Sequence, residues 1–356
     1  MGKNECKISI YDMKPGMIIA EDIKVNNTIL ISRETVVTDN MIKKLQEKFI
    51  QLEVIIYSDK EEQNENKIHK VSIRRTVEEV RENFIKISHD LESLFDNINR
   101  IGKINIDEVR NFAKRIQIYL DSPYEVIKNI VLNGSGNDPI YIHSVNVAAL
   151  SSILGKWVGL NDKEISLLTY SAILHDFGKT KVGENIMLKS QRLTRKEFEQ
   201  VKLHPIIAYN LTKQIPYLNN SVIYGILMHH ERLDGSGYPL GIKEGKIHPF
   251  ARIIAIVDIF DAVNSDRNYK KSLDPLSALE IIKRESLGKL DYKFSKIFIE
   301  QMVNYYMGEE VMLNNQKIGK IVYLDINNLS RPLLFNDDDF LDLKSQTNLH
   351  VQKLVK

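Results

Sequence analysis

The stretch His229-His230-Glu231-Arg232-Leu233-Asp234-Gly235-Ser236-Gly237-Tyr238-Pro239 decides how the rest of the 356-residue chain is read. It follows an apolar run, Val222 to Met228, that reads as a helix. Two adjacent imidazoles at the end of such a helix are uncommon. The glycines and proline behind them fix a tight loop able to bring backbone close to a ligand. Working outward, His175-Asp176 closes a second apolar helix, Leu167 to Leu174, with Gly178 as its C-cap. His204 precedes Pro205 at a helix start. His143 stands just before the apolar helix Val145 to Leu154, with Ser144 as the cap. Asp258 and Asp261 lie three apart, hence on one face, in the apolar helix Pro249 to Val263.

Taken singly, each of these has an ordinary reading: a helix-end His bonded to its neighbour, a surface His pair, a buried Asp paired with Lys or Arg. Burying His beside Asp is costly unless something compensates. A divalent first-row metal compensates well, because imidazole nitrogen and carboxylate oxygen are both good ligands for it. Five of the nine histidines, His143, His175, His204, His229 and His230, fall in this central region beside such neighbours.

Composition bounds the alternatives. Hydrophobic residues make up 43% and charged residues 27%, as in an ordinary globular protein, which excludes a disordered chain. A net charge of +2 argues against a binder of nucleic-acid polymers. The one cysteine, Cys6, excludes an intramolecular disulfide and a Cys-based zinc site, and fits a reducing compartment. No signal peptide is visible, and Val145 to Leu160 and Ile253 to Val263 carry too many polar groups to span a bilayer. The expectation is a cytoplasmic protein with no membrane partner.

The chain reads as mainly α, in four parts. Residues 1–66 are a small β-rich N-terminal regulatory domain, with a hairpin turn at Asn26-Asn27, a helix capped by Thr38, a strand from Leu52 to Tyr57 and a polar linker from Asp59. Residues 67–132 are a helical connector. There Ile73, Val77, Val80, Phe84, Ile87, Leu91, Leu94, Ile98 and Ile101 form a heptad stripe that ends at Gly102. Two readings of the stripe stay open: a homodimer through 73–101, or a long helix packed on the neighbouring domain. Residues 133–308 are helical throughout. Residues 309–356 are a small β-rich C-terminal extension, with a hairpin of Val311–Leu313 and Lys317–Leu324 and a third strand at Pro332–Phe335.

In their order and helical context, His143-Ser144, His175-Asp176-Phe177-Gly178-Lys179, His204-Pro205, the 229–239 run and Asp258-Ile259-Phe260-Asp261-Ala262 resemble the HD-GYP subfamily of HD-domain phosphohydrolases. Arg267-Asn268-Tyr269-Lys270 is similar to that family's Arg-Pro-Tyr-Arg/Lys segment. The resemblance covers about residues 135 to 305. It implies an all-helical HD-domain core over 133–308, flanked by the small β-rich units, and a cyclic di-GMP phosphodiesterase yielding linear pGpG, and GMP where a second cleavage follows, by attack of a metal-bridging hydroxide.

The resemblance further implies two divalent transition metal ions, iron or manganese. Asp176 would bridge them; His143, His175 and Asp258 would hold one, and His204, His229 and His230 the other. Lys179, Arg267 and Lys270 would meet substrate phosphate. Asp261 would orient Lys179 or a metal-bound water, and Gly237, Tyr238 and Pro239 would wall the site. Two departures stand out. Pro139 occupies the position where some members carry a third-metal glutamate, so no third metal is expected. Asn268 replaces a proline that would have fixed φ in the phosphate segment. A non-catalytic cyclic-dinucleotide receptor and a phosphodiesterase for cyclic GMP-AMP are the alternatives.

Overall fold

The computed structural model describes residues 4–25, 28–48, 53–58, 75–136, 138, 140–187, 189, 191–265, 275–336 and 339–355. The chain divides into two compact units, Met1–Arg74 and Arg75–Lys356.

In the first unit, strands β1 (Asn4–Ser9), β2 (Ile18–Ile19), β3 (Ile23–Val25) and β4 (Thr28–Ile31) precede helix α1 (Asp39–Lys48) and strand β5 (Glu53–Ser58). β5 is the middle strand of an antiparallel sheet between β1 and β2, and β3 pairs with β4 as the expected hairpin. Ile10, Ile19, Val37, Leu45, Val54 and Ile56 form its core. The turn Asn26-Asn27, Leu52, the linker from Asp59 and the first stripe residue, Ile73, lie outside the described residues.

The second unit opens with α2 (Val77–Ile101). Thr76 and Glu79 close a capping box at its start, and Gly102 ends it in the left-handed region at φ 73°. Its seam, Val80, Phe84, Ile87, Leu91, Leu94 and Ile98, is buried against α4 (Pro123–Asn133) and α5 (Tyr141–Trp157), with α3 (Ile106–Gln117) alongside. Of the two readings of the stripe, the packed helix is the one seen at these six positions, which helices of their own unit cover; Ile101, at the end of the stripe, is exposed.

The core follows from sequence hydropathy. α5, α6 (Asp162–Leu174), α10 (Asn220–Met228) and α11 (Pro249–Asn264) are apolar on nearly every face, and such helices belong at a centre. α6 packs on α5 and α10, and α11 packs on both α5 and α10. The shorter α7 (Glu184–Met187), α8 (Arg195–Val201) and α9 (His204–Thr212) lie between α6 and α10 in sequence; α12 (Pro275–Glu285) and α13 (Tyr292–Tyr306) complete the helices. None among the described residues is long and apolar enough to cross a membrane.

Strands β6 (Glu310–Leu313), β7 (Ile318–Asp325), β8 (Asn328–Asn336), β9 (Asp339–Asp342) and β10 (Val351–Leu354) form one antiparallel sheet in the order β10-β6-β7-β8-β9. Glu280 of α12 accepts the backbone N–H of Leu329 at 2.6 Å, seating β8 on the helices.

Two local expectations change. His143 and Ser144 lie inside α5 rather than ahead of it, and Ser144 is buried without a capping bond. The carboxylate of Asp138 does that work, accepting the N–H groups of Ile140, Tyr141 and Ile142. Gly178 is not a C-cap: it sits in a 3-10 turn, Phe177–Lys181, and does not adopt positive φ.

Candidate metal centre

The histidines converge because helices stop where they do. His175 follows the end of α6, His204 follows α8 and opens α9, and His229 follows the end of α10. Each donates Nδ1–H to a carbonyl three residues back: His175 to Ala172 at 2.6 Å, His204 to Val201 at 2.7 Å, His229 to Ile226 at 2.7 Å. A carbonyl can only accept, so each neutral ring carries its lone pair on Nε2. His143 donates Nδ1–H to Asp261 Oδ2 at 2.7 Å, which turns its Nε2 inward as well.

Asp176, from the turn after α6, lies fully buried among them. Its two oxygens face different histidines. Oδ2 is 3.4 Å from Nε2 of both His143 and His175; Oδ1 is 3.2 Å from His204 Nε2 and 3.9 Å from His229 Nε2. Asp258 of α11 adds Oδ1 at 3.0 Å from His143 Nε2 and Oδ2 at 3.8 Å from His230 Nδ1. Two ligand sets result: His143, His175 and Asp258, and Asp176, His204, His229 and His230, the donor atoms within each set all lying within 4.8 Å of one another.

These residues fit divalent metals for a physical reason. His175 Nε2 and Asp176 Oδ1 are buried with no hydrogen-bond partner. His204 Nε2 and His229 Nε2 stand 3.2 Å apart with both Nδ1 atoms already donating, so two lone pairs face each other. Buried acceptors aimed at acceptors are costly, and a cation between them removes the cost. The set is nitrogen and oxygen without thiolate, which suits a divalent first-row metal.

Burial alone would favour neutral carboxyls. Around Asp176 the neighbouring His175 and Lys179 outweigh it and hold the carboxyl well below the usual range. For Asp258 the hydrogen bond from His143 does the same. Burial pushes His204, His229 and His230 down, which keeps them neutral and able to ligate. His143 differs: burial lowers it, but hydrogen bonds to Asp258 and Asp261 raise it to about 9.

Lys179 Nζ lies 2.5 Å from Asp176 Oδ2. Asp261 departs from one of its two expected roles, the pairing with Lys179. It does not reach Lys179; its oxygens take His143 Nδ1 and Asn146 Nδ2, at 2.7 and 2.8 Å. The reason is that its helix, α11, packs directly on α5. Tyr238 stacks on His230, ring centroids 4.6 Å apart at 29°. Gly237 is required there, since a Cβ would come within 2.4 Å of the backbone of Glu231 and Arg232. Arg267, Asn268, Lys270 and Pro139 lie outside the described residues. Two contributors were missed. Glu231, buried, accepts the N–H groups of Leu240, Gly241 and Ile242 and so pins the loop. Asn146 orients Asp261; its place one turn after His143, on the same face, was the available signal.

The family profile described as HD domain matches residues 126–294. Over those residues the chain is similar to the HD-domain family. The HD-domain resemblance read from the motifs agrees with this match, and the mainly α fold is the one observed. The chain is 34% identical over 184 residues to a cyclic di-GMP phosphodiesterase of Pseudomonas aeruginosa, covering 51% of this chain and 44% of that protein. It is 34% identical over 194 residues to the cyclic di-GMP phosphodiesterase PdeB of Borreliella burgdorferi, covering 54% and 51%. It is 34% identical over 165 residues to 3'3'-cGAMP-specific phosphodiesterase 1 of Vibrio cholerae, covering 46% and 38%. The match thus spans about half or less of these relatives' length. Among solved structures, the HDG"Y"P protein Bd1817 of Bdellovibrio bacteriovorus superposes with TM-score 0.52 at 18% identity, over 83% of this chain and 99% of that one, a likeness of fold.

Proposed function

We propose that this protein is a metal-dependent phosphodiesterase that hydrolyses cyclic di-GMP to linear pGpG, and onward to GMP when the second diester is cut. One observation carries the reading. A single buried carboxylate, Asp176, offers one oxygen to each of two histidine sets. That is the arrangement a two-ion site needs. His143, His175 and Asp258 would hold one ion; His204, His229 and His230 the other; Asp176 would bridge. Two bound ions, iron or manganese, would supply Lewis acidity, offsetting charge on the diester and acidifying water for in-line attack.

The chain's own groups prepare that chemistry. Lys179 keeps Asp176 ionised and presents an ammonium beside it, where a phosphate oxygen can be met as by a point charge. Arg267 would take phosphate in a fork, and Lys270 would add a second point charge. Asp261 positions His143, and through Asn146 is itself positioned. Gly237, Tyr238 and Pro239 wall the His230 side. A third ion forms no part of the proposal, because Asp138, beside Pro139, spends its carboxylate on three backbone N–H groups. Catalysis is assigned to 133–308, acting in the cytoplasm; 1–66, 67–132 and 309–356 regulate or connect.

The test is metal analysis and product chromatography on the full chain, wild type and Asp176→Ala, with iron or manganese. The expected result is two ions per chain and linear product in the wild type, and neither in the variant. Metal-loaded wild type that yields no product from any cyclic dinucleotide refutes catalysis; if it still binds one, the protein is a receptor. The relatives include a 3'3'-cGAMP-specific phosphodiesterase, so turnover of cyclic GMP-AMP is measured in parallel.

A further inference from the structure

We infer that Phe198 is the outer end of an aromatic shelf that carries a guanine base of the substrate; the inference rests on the cyclic-dinucleotide reading above. A series of rings leads out of the metal centre. His230, a candidate ligand, stacks on Tyr238 at 4.6 Å, and Tyr238 meets Phe198 edge-on at 6.4 Å and 77°. Phe198 thus stands two ring contacts away from a candidate ligand. Tyr238 is largely covered, whereas Phe198 is 44% exposed. A lone exposed Phe is ordinary on a protein surface. This one ends a path that begins at the reacting centre.

The ring is also held in place. Its helix, α8, starts in a capping box of Thr194 and Glu197, and Glu197 is gripped by Lys189 at 2.7 Å. The other end of α8 gives the Val201 carbonyl to His204. Phe198 is thus tied to a candidate metal ligand through three residues of helix, and ring and phosphate site keep a fixed spacing. A rigid platform orders no further chain when a base stacks on it, so little of the stacking energy is lost.

A cation completes the shelf. Lys202 Nζ lies 5.1 Å from the Phe198 ring centroid and 5.9 Å from that of Tyr238. Its ion pair with Glu199 is partly exposed and therefore weak. On leaving that pair, the ammonium can donate to a base lying on the rings. Guanine offers two acceptors on one edge, O6 and N7; adenine replaces O6 with a donor. Shelf and lysine together select guanine over adenine at this position.

The experiment uses metal-loaded full-length protein and compares cyclic di-GMP with cyclic di-AMP. Phe198→Leu keeps an apolar side chain but removes the stacking face. Its KM for cyclic di-GMP rises about 5- to 150-fold, more than kcat falls, with metal content at the wild-type level. Phe198→Trp restores KM. Lys202→Met narrows the preference for cyclic di-GMP over cyclic di-AMP. A KM within twofold of wild type in Phe198→Leu and Phe198→Ala overturns the shelf, and so does failure of Phe198→Trp to restore what Phe198→Leu loses. A wild type that neither binds nor cleaves any cyclic dinucleotide overturns the functional reading and the shelf together; a wild type that does, with unaltered Phe198 variants, overturns the shelf alone.

Discussion

Adding one methyl group at Gly178 tests whether the metal centre depends on how closely two chain segments approach. Gly178 lies two residues after Asp176, and its missing Cβ faces the backbone of His204: the carbonyl oxygen would be 2.0 Å away and Cα 2.8 Å away. Ordinary contact begins near 3.4 Å, so Gly178→Ala must push the two segments apart by more than 1 Å. Neither can yield cheaply. The turn after α6 is anchored by Phe177, buried and edge-on to Phe95 at 5.0 Å, and His204 is tethered to Val201. The displaced pair is His204 Nε2 and Asp176 Oδ1, now 3.2 Å apart. A misplacement of about 1 Å in a reacting site costs on the order of 100-fold in rate. The overpacking itself costs about 1–3 kcal/mol of stability. We therefore expect Gly178→Ala to be folded by circular dichroism, lower in Tm, depleted in the ion that His204 would hold, and about 100-fold slower in turnover. Metal analysis, a thermal melt and the product assay read these out. A variant with full metal content and wild-type turnover would falsify the close-approach argument.

Three further outcomes follow from the geometry. Asp261→Asn leaves one oxygen to accept from two donors, His143 Nδ1 and Asn146 Nδ2; metal affinity, measured by competition with a chelator, should fall about 10- to 100-fold, and unchanged affinity would remove Asp261 from the site's support. Glu231→Ala strands the N–H groups of Leu240, Gly241 and Ile242, so hydrogen exchange across 237–242 should accelerate while the helices keep their protection; uniform protection would contradict the loop-pinning role. His143 has a raised value of about 9 in metal-free protein against an ordinary 6.5. Its protonation therefore stabilises that form fully below pH 6.5, and the contribution is lost as pH rises through about 9. A metal must displace this proton, so affinity should climb about tenfold per pH unit from 7 towards 9, and calorimetry in buffers of different ionisation enthalpy should detect proton release. Flat affinity across that range would count against His143 as a ligand.

Apart from His204, which only its place in the motif order marked, the candidate ligands were legible because each is a polar residue beside or inside a strongly apolar run, where an unpaired charge is hard to explain. The helices of the core were legible from the same runs. What was not legible depended on which helix lies beside which. Asp261 could be placed on the Asp258 face but not assigned its partner, since His143 is brought there by the packing of α11 on α5. The 73–101 stripe was readable as a seam and silent about what covers it. Gly178 looked like a helix stop from its position, while its role is to let the His204 backbone pass. Strand β9, Asp339–Asp342, has aspartate at both ends, a residue depleted in strands, and is a strand through pairing with β8.

The tether shared by His175, His204 and His229 constrains what this site can become. Each ring spends one nitrogen on a last-turn carbonyl of α6, α8 or α10, the groups that a terminating helix leaves without donors. The side chain that would bind a metal is thus also the one that finishes the helix. Cysteine, aspartate and glutamate could each supply a ligand atom, but none in its metal-binding form has a hydrogen to give the carbonyl. Drift towards another donor set would have to re-end a helix at the same step. Histidine is held at these three places by backbone accounting as much as by the chemistry it faces.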